Sequence, residues 1–326
     1  MSTTLSASNF IGRAMLVTLR ILYPEVNNRR WRTGMTLIGS HVAVAGGLVK
    51  SGLGEAIAVG AEIIQVFAGN ARSWAPRAAD PAGDDAFRAA CADRGIPVVV
   101  HAPHLINLCS PSELVLSRSL AALEVTMKRA EAIGATAVVV HAGALVAKGR
   151  RAKVLGGLRD LVVPIVDRAQ ARLLIEPTAG AGEAGASTID TSIEYMLALN
   201  DARIGLCLDT CHLHAAGEDM TDALAIARAV DKVSAALGAD RIGLIHVNDS
   251  RDPVGSRRDR HESIGLGAIG LAGAEALVSV PALRGVPLLV ETPTHSRDVA
   301  LLKELRAVQT SERSDSSVAI SRRASW

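Results

Sequence analysis

Long apolar runs are missing from this sequence. None approaches the roughly 18 consecutive residues that a helix needs to span a bilayer, so we expect a soluble protein that does not associate with membranes. Cysteine is scarce, with four residues in 326, and free thiols in a reducing compartment such as the cytoplasm fit better than a disulfide framework. The net charge of +2 identifies no binding partner. No apolar repeat or heptad indicates an oligomer, so a monomer is expected.

Eight short apolar runs recur along the chain, and the last six each end on a residue that can bind zinc. The runs are TLIGSH to His41, IIQVFAGN to Asn70, IPVVVH to His101, AVVVH to His141, RLLIE to Glu176, IGLCLD to Asp209, IGLIHV with His246, and PLLVE to Glu291. Runs that are apolar throughout are typical of strands covered on both faces, and stretches with helical spacing lie between them. Eight such units in succession predict a (β/α)8 TIM barrel, whose active site lies at the C-terminal ends of the strands.

One barrel accounts for about 250 residues, so we expect a single domain over residues 35–310 with a tail at each end. Residues 1–34 contain five arginines and one acid together with early Ser and Thr residues. They could form a transit peptide, but a dispensable or disordered extension is preferred. Residues 311–326 are polar, Ser-rich and without periodicity, so disorder is expected there. Neither tail contains a candidate ligand.

The placement of the histidines is a second indication of a metal site. All nine lie at a predicted strand end or in the loop after one, and none in the intervening helices: His41, His101, His104, His141, His212, His214, His246, His261 and His295. Asp209 and His212 are three residues apart, so a turn or first helical coil brings their side chains to one side. Asp259 and His261 are two apart, and such residues share a face of an extended segment.

These pairs and the strand ends together supply five imidazoles and four carboxylates. The candidates are His101, His141, Glu176, Asp209, His212, His246, Asp259, His261 and Glu291. One tetrahedral zinc takes about four ligands, so this set fits two or three ions better than one. Clustered ions are a known means of splitting phosphate esters, because they stabilise the attacking and leaving oxygens together.

Seven segments resemble the successive motifs of the endonuclease IV family of apurinic/apyrimidinic endonucleases. They are IGSHVAVAGGL, FAGNARSW, HAPHLINL, IEPTAGAG, LDTCHLHAAG, HVNDSRDPVGSRRDRHESIGLG and LLVETPT. The resemblance extends from about Leu37 to Leu305. It implies a base excision repair enzyme with three Zn²⁺ ions that cuts duplex DNA 5′ to abasic sites, leaving a 3′-hydroxyl and a 5′-deoxyribose phosphate. Abasic duplex DNA is the expected partner, and no nucleotide cofactor is expected.

The resemblance also implies which residues hold each ion. His101, His141 and a bridging Glu176 would hold the first zinc, Glu176, Asp209, His246 and Glu291 the second, and His212, Asp259 and His261 the third. Glu176 is therefore the expected catalytic residue as well as a ligand. Zinc can lower the pKa of water to about 7, so a zinc-bound hydroxide could attack phosphorus without a side-chain base. No Ser or Cys nucleophile is assigned.

An enzyme acting on a lesion within a duplex must extrude the nucleotide and support the gap. The resemblance implies that Arg72, His104 and Leu105 support the gap, and the arginines beside the ligands, Arg257, Arg258 and Arg260, are predicted to hold phosphates. The family usually has Tyr at His104, Asn at Pro177 and an acid at Leu266. These departures leave all the ligands in place. They alter the stacking surface at the gap and the surroundings of the metal ligands.

Two other functions are compatible with parts of the pattern. A sugar isomerase or epimerase on the same barrel needs one divalent metal, which Glu176, Asp209, His246 and Glu291 could hold, and fold alone does not separate it from a nuclease. That enzyme would have no use for the remaining five ligand candidates. A noncatalytic DNA-binding module has less support, because phosphate contact does not require several metal ligands. Metal stoichiometry separates the first two functions.

Overall fold

The computed structural model describes residues 34–67, 69–75, 78 and 80–323, and from residue 311 onwards it describes the backbone alone. The extension predicted over residues 1–34 therefore lies outside the described residues except for its last position. Its dispensability stays a prediction.

The described part of the chain forms ten strands and nine α-helices. The strands are β1 Ile38–His41, β2 Ile64–Phe67, β3 Val98–His101, β4 Ala137–His141, β5 Arg172–Glu176, β6 Ile204–Asp209, β7 Ile242–His246, β8 Asp249–Ser250, β9 His261–Glu262 and β10 Leu288–Val290. The helices are α1 Gly54–Ala58, α2 Pro81–Asp93, α3 Glu113–Ala132, α4 Arg151–Val166, α5 Ile189–Leu199, α6 Thr210–Ala216, α7 Ala223–Leu237, α8 Gly270–Ser279 and α9 His295–Arg323. A π-helical turn, Leu48–Leu53, precedes α1, and a 3₁₀ turn, Pro281–Leu283, follows α8.

Eight of the strands close into a parallel barrel in the order β1-β10-β7-β6-β5-β4-β3-β2. The predicted (β/α)8 TIM barrel is confirmed. The remaining two strands, β8 and β9, follow β7 in the chain and precede β10. They form a small antiparallel sheet of their own, with Ser250 paired to His261. This small sheet was not expected from the sequence.

The barrel interior explains why the ligand candidates converge. Side chains alternate between the two faces of a strand, so residues two apart point the same way. Six residues of the buried inner core lie two positions before a candidate ligand: Val99, Val139, Leu174, Cys207, Leu244 and Leu289. The side chains of the candidate ligands at these six strand ends therefore point into the mouth of the barrel.

Helix α9 packs on the outside of the barrel through Val299 and Leu302, which are fully buried. Arg306 of this helix pairs with Glu62 at 2.6 Å. The helical backbone continues as far as Arg323, into the segment 311–326 for which the sequence predicts disorder. The disorder of that tail stays a prediction. Among the helices of the described residues, none has the length and apolar composition that a bilayer crossing requires.

Candidate metal centre

All nine candidate ligands meet at the C-terminal mouth of the barrel. Each has a side-chain nitrogen or oxygen within 4.0 Å of another member. Six lie at or directly after barrel strands. Of the other three, His212 comes from α6, Asp259 lies just before β9, and His261 is the first residue of β9.

Glu176 lies at the centre of the cluster, and its two carboxylate oxygens face different histidines. Oε2 lies 3.2 Å from Nε2 of His101 and 3.3 Å from Nε2 of His141. Oε1 lies 3.0 Å from Nδ1 of His246 and 3.4 Å from Nδ1 of His212. The side chain of Glu176 is about 1% exposed. One buried carboxylate therefore connects two sets of imidazoles.

A second group lies beside Glu176 on the side of β6, β7 and β10. Nδ1 of His246 is 3.3 Å from Oε2 of Glu291 and 3.9 Å from Oδ2 of Asp209. Ligand atoms of Glu176, Asp209, His246 and Glu291 all lie within 4.8 Å of one another. The structure thus brings together the four residues that the sequence assigns to the second ion.

The third group forms where α6 approaches the segment before β9. Asp209 is the N-cap of α6, and its Oδ1 accepts a hydrogen bond of 2.8 Å from the backbone N–H of His212. Nε2 of His212 lies 3.2 Å from Oδ2 of Asp259, and Nε2 of His261 lies 3.1 Å from Oδ1 of the same residue. Asp259 is 51% exposed and His261 is 21% exposed, so this group forms the solvent-facing edge of the centre.

The helix that carries His212 corrects one detail of the sequence prediction. His212 and His214 lie within α6, and His295 begins α9, so the expectation that the helices contain no histidine is wrong. The chain turns into α6 directly after β6, because Asp209 caps the first turn. This local turn brings His212 to the same side as Asp209.

The carboxylates of the cluster are balanced by imidazoles. Within the described residues, histidines are the only ion-pair partners of Glu176, Asp209, Asp259 and Glu291. Burial alone would raise the pKa of Glu176, but His246 and His141 outweigh it and hold the pKa well below its usual value. The cluster is therefore a dense set of carboxylates and imidazoles that is open to water at the edge formed by Asp259 and His261.

The pKa values of two imidazoles in the cluster shift in the opposite direction. Burial alone would lower the pKa of His261, but the carboxylates of Asp209 and Asp259 raise it to about 9. The same carboxylates hold the pKa of His212 well above its usual value despite its burial. A metal that binds these rings would have to displace protons, because imidazole binds a metal in its neutral form.

In His101 and His246, one ring nitrogen has a hydrogen-bond partner outside the set of ligands, which leaves the other nitrogen aimed into the cluster. Nδ1 of His101 lies 2.7 Å from the carbonyl oxygen of Ala102, and Nε2 of His246 lies 2.9 Å from Oε1 of Gln65. Partners of this kind fix the tautomer and orientation of metal-binding histidines. Imidazole nitrogens with carboxylate oxygens are the donor set that zinc takes in proteins. The residues present therefore fit metal ions.

Comparison with known proteins agrees with the geometry. Residues 53–312 match the model of the family described as xylose isomerase-like TIM barrel. A protein of Streptomyces avermitilis named "Probable endonuclease 4" is 42% identical over 278 residues, which are 82% of this chain and 90% of the relative. The chain belongs to the endonuclease 4 family. A Mycobacterium tuberculosis protein of the same name is 40% identical, with 82% of this chain and 98% of the relative covered.

The fold is also similar to that of a solved endonuclease IV. Endonuclease IV from Thermus thermophilus aligns with a TM-score of 0.72 and 32% identity, over 85% of this chain and 99% of that chain. A D-tagatose 3-epimerase-like protein aligns with a TM-score of 0.65 at 17% identity, over 85% of this chain and 99% of that chain. At that identity the epimerase-like protein shares the fold alone.

Two buried amide side chains of this endonuclease 4 family member were missed in the sequence. Gln65 of β2 donates a hydrogen bond of 2.6 Å to Oε1 of Glu291. Asn248 donates from Nδ2 to Oδ2 of Asp209 at 2.6 Å, and its Oδ1 accepts from the backbone N–H of Glu291 at 2.8 Å. A polar amide inside the apolar run IIQVF, and another directly after HV, were the available signals.

The arginines predicted to contact DNA differ in whether they already form an ion pair. Arg72 and Arg257 are exposed. Arg260 pairs with Asp252 through Nε at 2.7 Å, and Arg258 approaches the same carboxylate at 3.5 Å. These two arginines therefore stabilise the loop between β8 and β9 in addition to facing solvent.

His104 and Leu105 lie in the turn after β3, where both are exposed. Partial desolvation of the imidazole, together with the neighbouring rings of His101 and His141, lowers the pKa of His104 to about 4. The ring of His104 is thus neutral at neutral pH. The ring lies beside His101 and His141, two of the candidate ligands.

Proposed function

We propose that the chain is a zinc-dependent endonuclease of DNA repair that hydrolyses the phosphodiester bond 5′ to abasic sites in duplex DNA. The products would be a 3′-hydroxyl and a 5′-deoxyribose phosphate. The position of Glu176 carries this proposal, because a carboxylate with its two oxygens facing separate imidazole sets can bridge two cations. Clustered cations suit phosphodiester hydrolysis. The names of the relatives support DNA as the substrate.

Three zinc ions are proposed, with Glu176 shared by two of them. One would be held by His101, His141 and Glu176, the second by Glu176, Asp209, His246 and Glu291, and the third by His212, Asp259 and His261. Bound zinc would supply Lewis-acid stabilisation of phosphate charge and would lower the pKa of water. Glu176 is the proposed catalytic residue, because its carboxylate would fix the spacing of two ions.

The protein shapes the approach of the substrate to this centre. Glu176, Asp209 and His246 are fully buried, whereas His141 and Asp259 have side chains that are 19% and 51% exposed. A phosphate can therefore reach the cluster only from the side of the exposed ligands. The buried side excludes water, which strengthens the electrostatic interactions there.

DNA contacts are proposed around that exposed side. Arg257, Arg258 and Arg260 would hold phosphates beside Asp259 and His261, since arginine binds phosphate oxygens in pairs. Arg72 and Leu105 would support the gap left by an extruded nucleotide. His104 was predicted to belong to the same set. The enzyme is proposed to act as a monomer without a nucleotide cofactor.

The test is incubation of the purified chain with duplex DNA that contains one abasic site. Incision 5′ to the site, leaving an end that a polymerase extends, is expected from the zinc-loaded protein and not after chelation. An undamaged duplex of the same sequence is the control. Elemental analysis in parallel should give three ions per chain. One ion per chain and no incision would contradict the proposal and favour the single-metal isomerase that Glu176, Asp209, His246 and Glu291 could serve.

A further inference from the structure

One histidine at the mouth of the barrel lies close to the proposed ligands without having a role in the ion assignment. His104 follows His101 by three residues, and ligand nitrogens of His101, His104 and His141 all lie within 4.8 Å of one another. The group of Glu176, Asp209, His246 and Glu291 meets the same distance limit. By this distance criterion, His101, His104 and His141 form a set that could hold a metal ion.

The turn that carries His104 is held in place by several contacts. The backbone N–H of His104 donates to the carbonyl oxygen of Ala71 at 3.0 Å, which ties this turn to the loop after β2. The backbone N–H of Ile106 donates to the carbonyl oxygen of Pro103 at 3.1 Å. Phe67 meets the ring of His104 edge-on, with the centroids 5.2 Å apart. These contacts aim the imidazole towards the cluster.

The rings of His101 and His141 lie at equal distance from His104. The centroid of His104 is 5.3 Å from each of them. Glu176 approaches the same two histidines from the buried interior of the barrel, where it is fully enclosed. His104, which is exposed, approaches them from the solvent side. Glu176 and His104 therefore lie on different sides of the His101–His141 pair.

We propose that His104 is a further protein ligand of the ion that His101 and His141 hold. With Glu176, these three histidines supply four ligands, one more than a catalytic zinc site usually takes from the protein, and a zinc ion that expands to five ligands keeps a position for water. The ion assignment without His104 leaves one position open, as catalytic zinc sites do. This chain would thus hold that ion more tightly than three ligands can. The inference rests on the proposed function, because it requires an ion between His101 and His141.

The tighter binding of this ion is tested by measuring how much zinc the protein retains in the absence of DNA. Zinc-loaded full-length protein is dialysed against increasing concentrations of a chelator, and the zinc remaining per chain is measured. His104→Phe keeps a ring against Phe67 but removes the ligand nitrogens. We expect one ion to be lost from His104→Phe at a chelator concentration at least about tenfold lower than from wild type. That factor is the lower end of the loss seen when even indirect partners of metal ligands are removed.

Two further variants make the result specific. Leu105→Ala alters the neighbouring exposed side chain of the same turn and should retain zinc as wild type does. His141→Ala should lose the same ion as His104→Phe. If His141→Ala loses an ion and His104→Phe retains all of them, the role of His104 is overturned while the metal centre stands. If His141→Ala also retains all zinc, both the inference and the proposed centre fail.

A crystal structure of the zinc-loaded protein gives an independent measure. Anomalous scattering at the zinc edge locates the ions, and a ring nitrogen of His104 is expected about 2.0 to 2.1 Å from one of them, the usual Zn–N distance. An ion bound by His101 and His141 with His104 turned towards solvent would overturn the inference.

Discussion

The side-chain oxygen of Gln65 lies 2.9 Å from Nε2 of His246, while the other ring nitrogen of His246 faces Glu176 at 3.0 Å. An amide oxygen can only accept a hydrogen bond, so it favours the tautomer with a proton on Nε2 and a lone pair on Nδ1. The amide nitrogen of Gln65 donates to Glu291. One buried glutamine thus orients two proposed ligands of the same ion.

Replacing Gln65 with methionine is therefore expected to weaken metal binding without unfolding the barrel. Methionine fills a similar volume but cannot accept from His246 or donate to Glu291, and loss of such partners typically lowers metal affinity by about 10- to 100-fold. Competition with a chelating dye measures the change. Ser40→Ala is the matched control, because Ser40 is buried on the adjacent strand β1. Equal affinity in Gln65→Met and wild type would contradict the orienting role.

The strand-end ligands could be predicted from the sequence because two local rules place them. Apolar runs indicate buried parallel strands, and alternation sends the residue two positions after an inner core residue into the barrel mouth. His101, His141 and Glu176 follow both rules. The barrel topology then brings strand ends together regardless of their distance along the chain. The apolar runs and the closure of the barrel are together enough to predict the strand-end ligands.

The remaining features depend on contacts that no local pattern encodes. Gln65 and Glu291 are 226 residues apart, and nothing near either one indicates the other. Strands β8 and β9 have two residues each, which is too short for any periodicity to be recognised. The position of His104 beside His101 depends on the conformation of one turn. Sequence spacing leaves that conformation open, so His104 was predicted only to contact DNA.

Glu176→Gln is expected to abolish incision of abasic DNA while the fold is retained. An amide offers one oxygen and one nitrogen, so it cannot connect two cations as a carboxylate does. Activity should fall at least about 100- to 1,000-fold, the range seen when one preorganised electrostatic contact of an active site is removed. Incision is measured on a labelled abasic duplex, with circular dichroism as the folding control. Incision at a near wild-type rate would refute the bridging role.

Asp259→Ala should have a more limited effect, because Asp259 contacts His212 and His261 alone among the ligands. The variant is expected to lose one zinc ion per chain and to keep the other two. Elemental analysis after gel filtration gives the count directly. Loss of all zinc from Asp259→Ala would show that the three groups do not bind ions independently.

Zinc affinity should fall steeply as the pH is lowered. In the metal-free protein the pKa of His261 is raised to about 9 and that of His212 is also raised, so zinc must displace protons from these rings. Each displaced proton lowers the apparent affinity about tenfold per pH unit. Between pH 8 and pH 6 the fall should be at least about 100-fold. Competition titrations at fixed ionic strength measure it, and an affinity independent of pH over this range would be inconsistent with protonated rings.

A chain that begins at Met35 and ends at Thr310 is expected to fold and to cut abasic DNA as the full chain does. The proposed ligands all lie within this range, as do Val299 and Leu302, which anchor α9. The pairing of Arg306 with Glu62 is also retained. Thermal unfolding and incision rates of the two chains should agree. Loss of folded protein on removing residues 1–34 alone would mean that the extension contributes to the barrel.

Within the described residues, the buried ring of His214 has no hydrogen-bond partner, so replacing it should stabilise the fold. The residue is 2% exposed, and within the described residues neither ring nitrogen has a hydrogen-bond partner. A buried unsatisfied donor costs about 1 to 3 kcal/mol. His214→Phe, with an apolar ring of similar size, is expected to raise the free energy of unfolding by about that amount. His295→Phe is the control, because His295 pairs with Glu55 at 2.9 Å and should give no gain.

The gain from His214→Phe should also depend on pH. Burial disfavours the charged ring and lowers the pKa of His214 in the folded protein, although Asp219 and Asp249 partly oppose this. Below the ordinary histidine pKa of about 6.5, the unfolded chain therefore binds more protons at this position than the folded protein does. The wild-type protein therefore loses stability at this position as the pH falls below about 6.5, whereas His214→Phe does not. Denaturant unfolding of chelated protein should thus show a larger difference between His214→Phe and wild type at pH 6 than at pH 8. A difference that is equal at both pH values, or larger at pH 8, would mean that His214 takes up a proton in the folded protein as readily as in the unfolded chain.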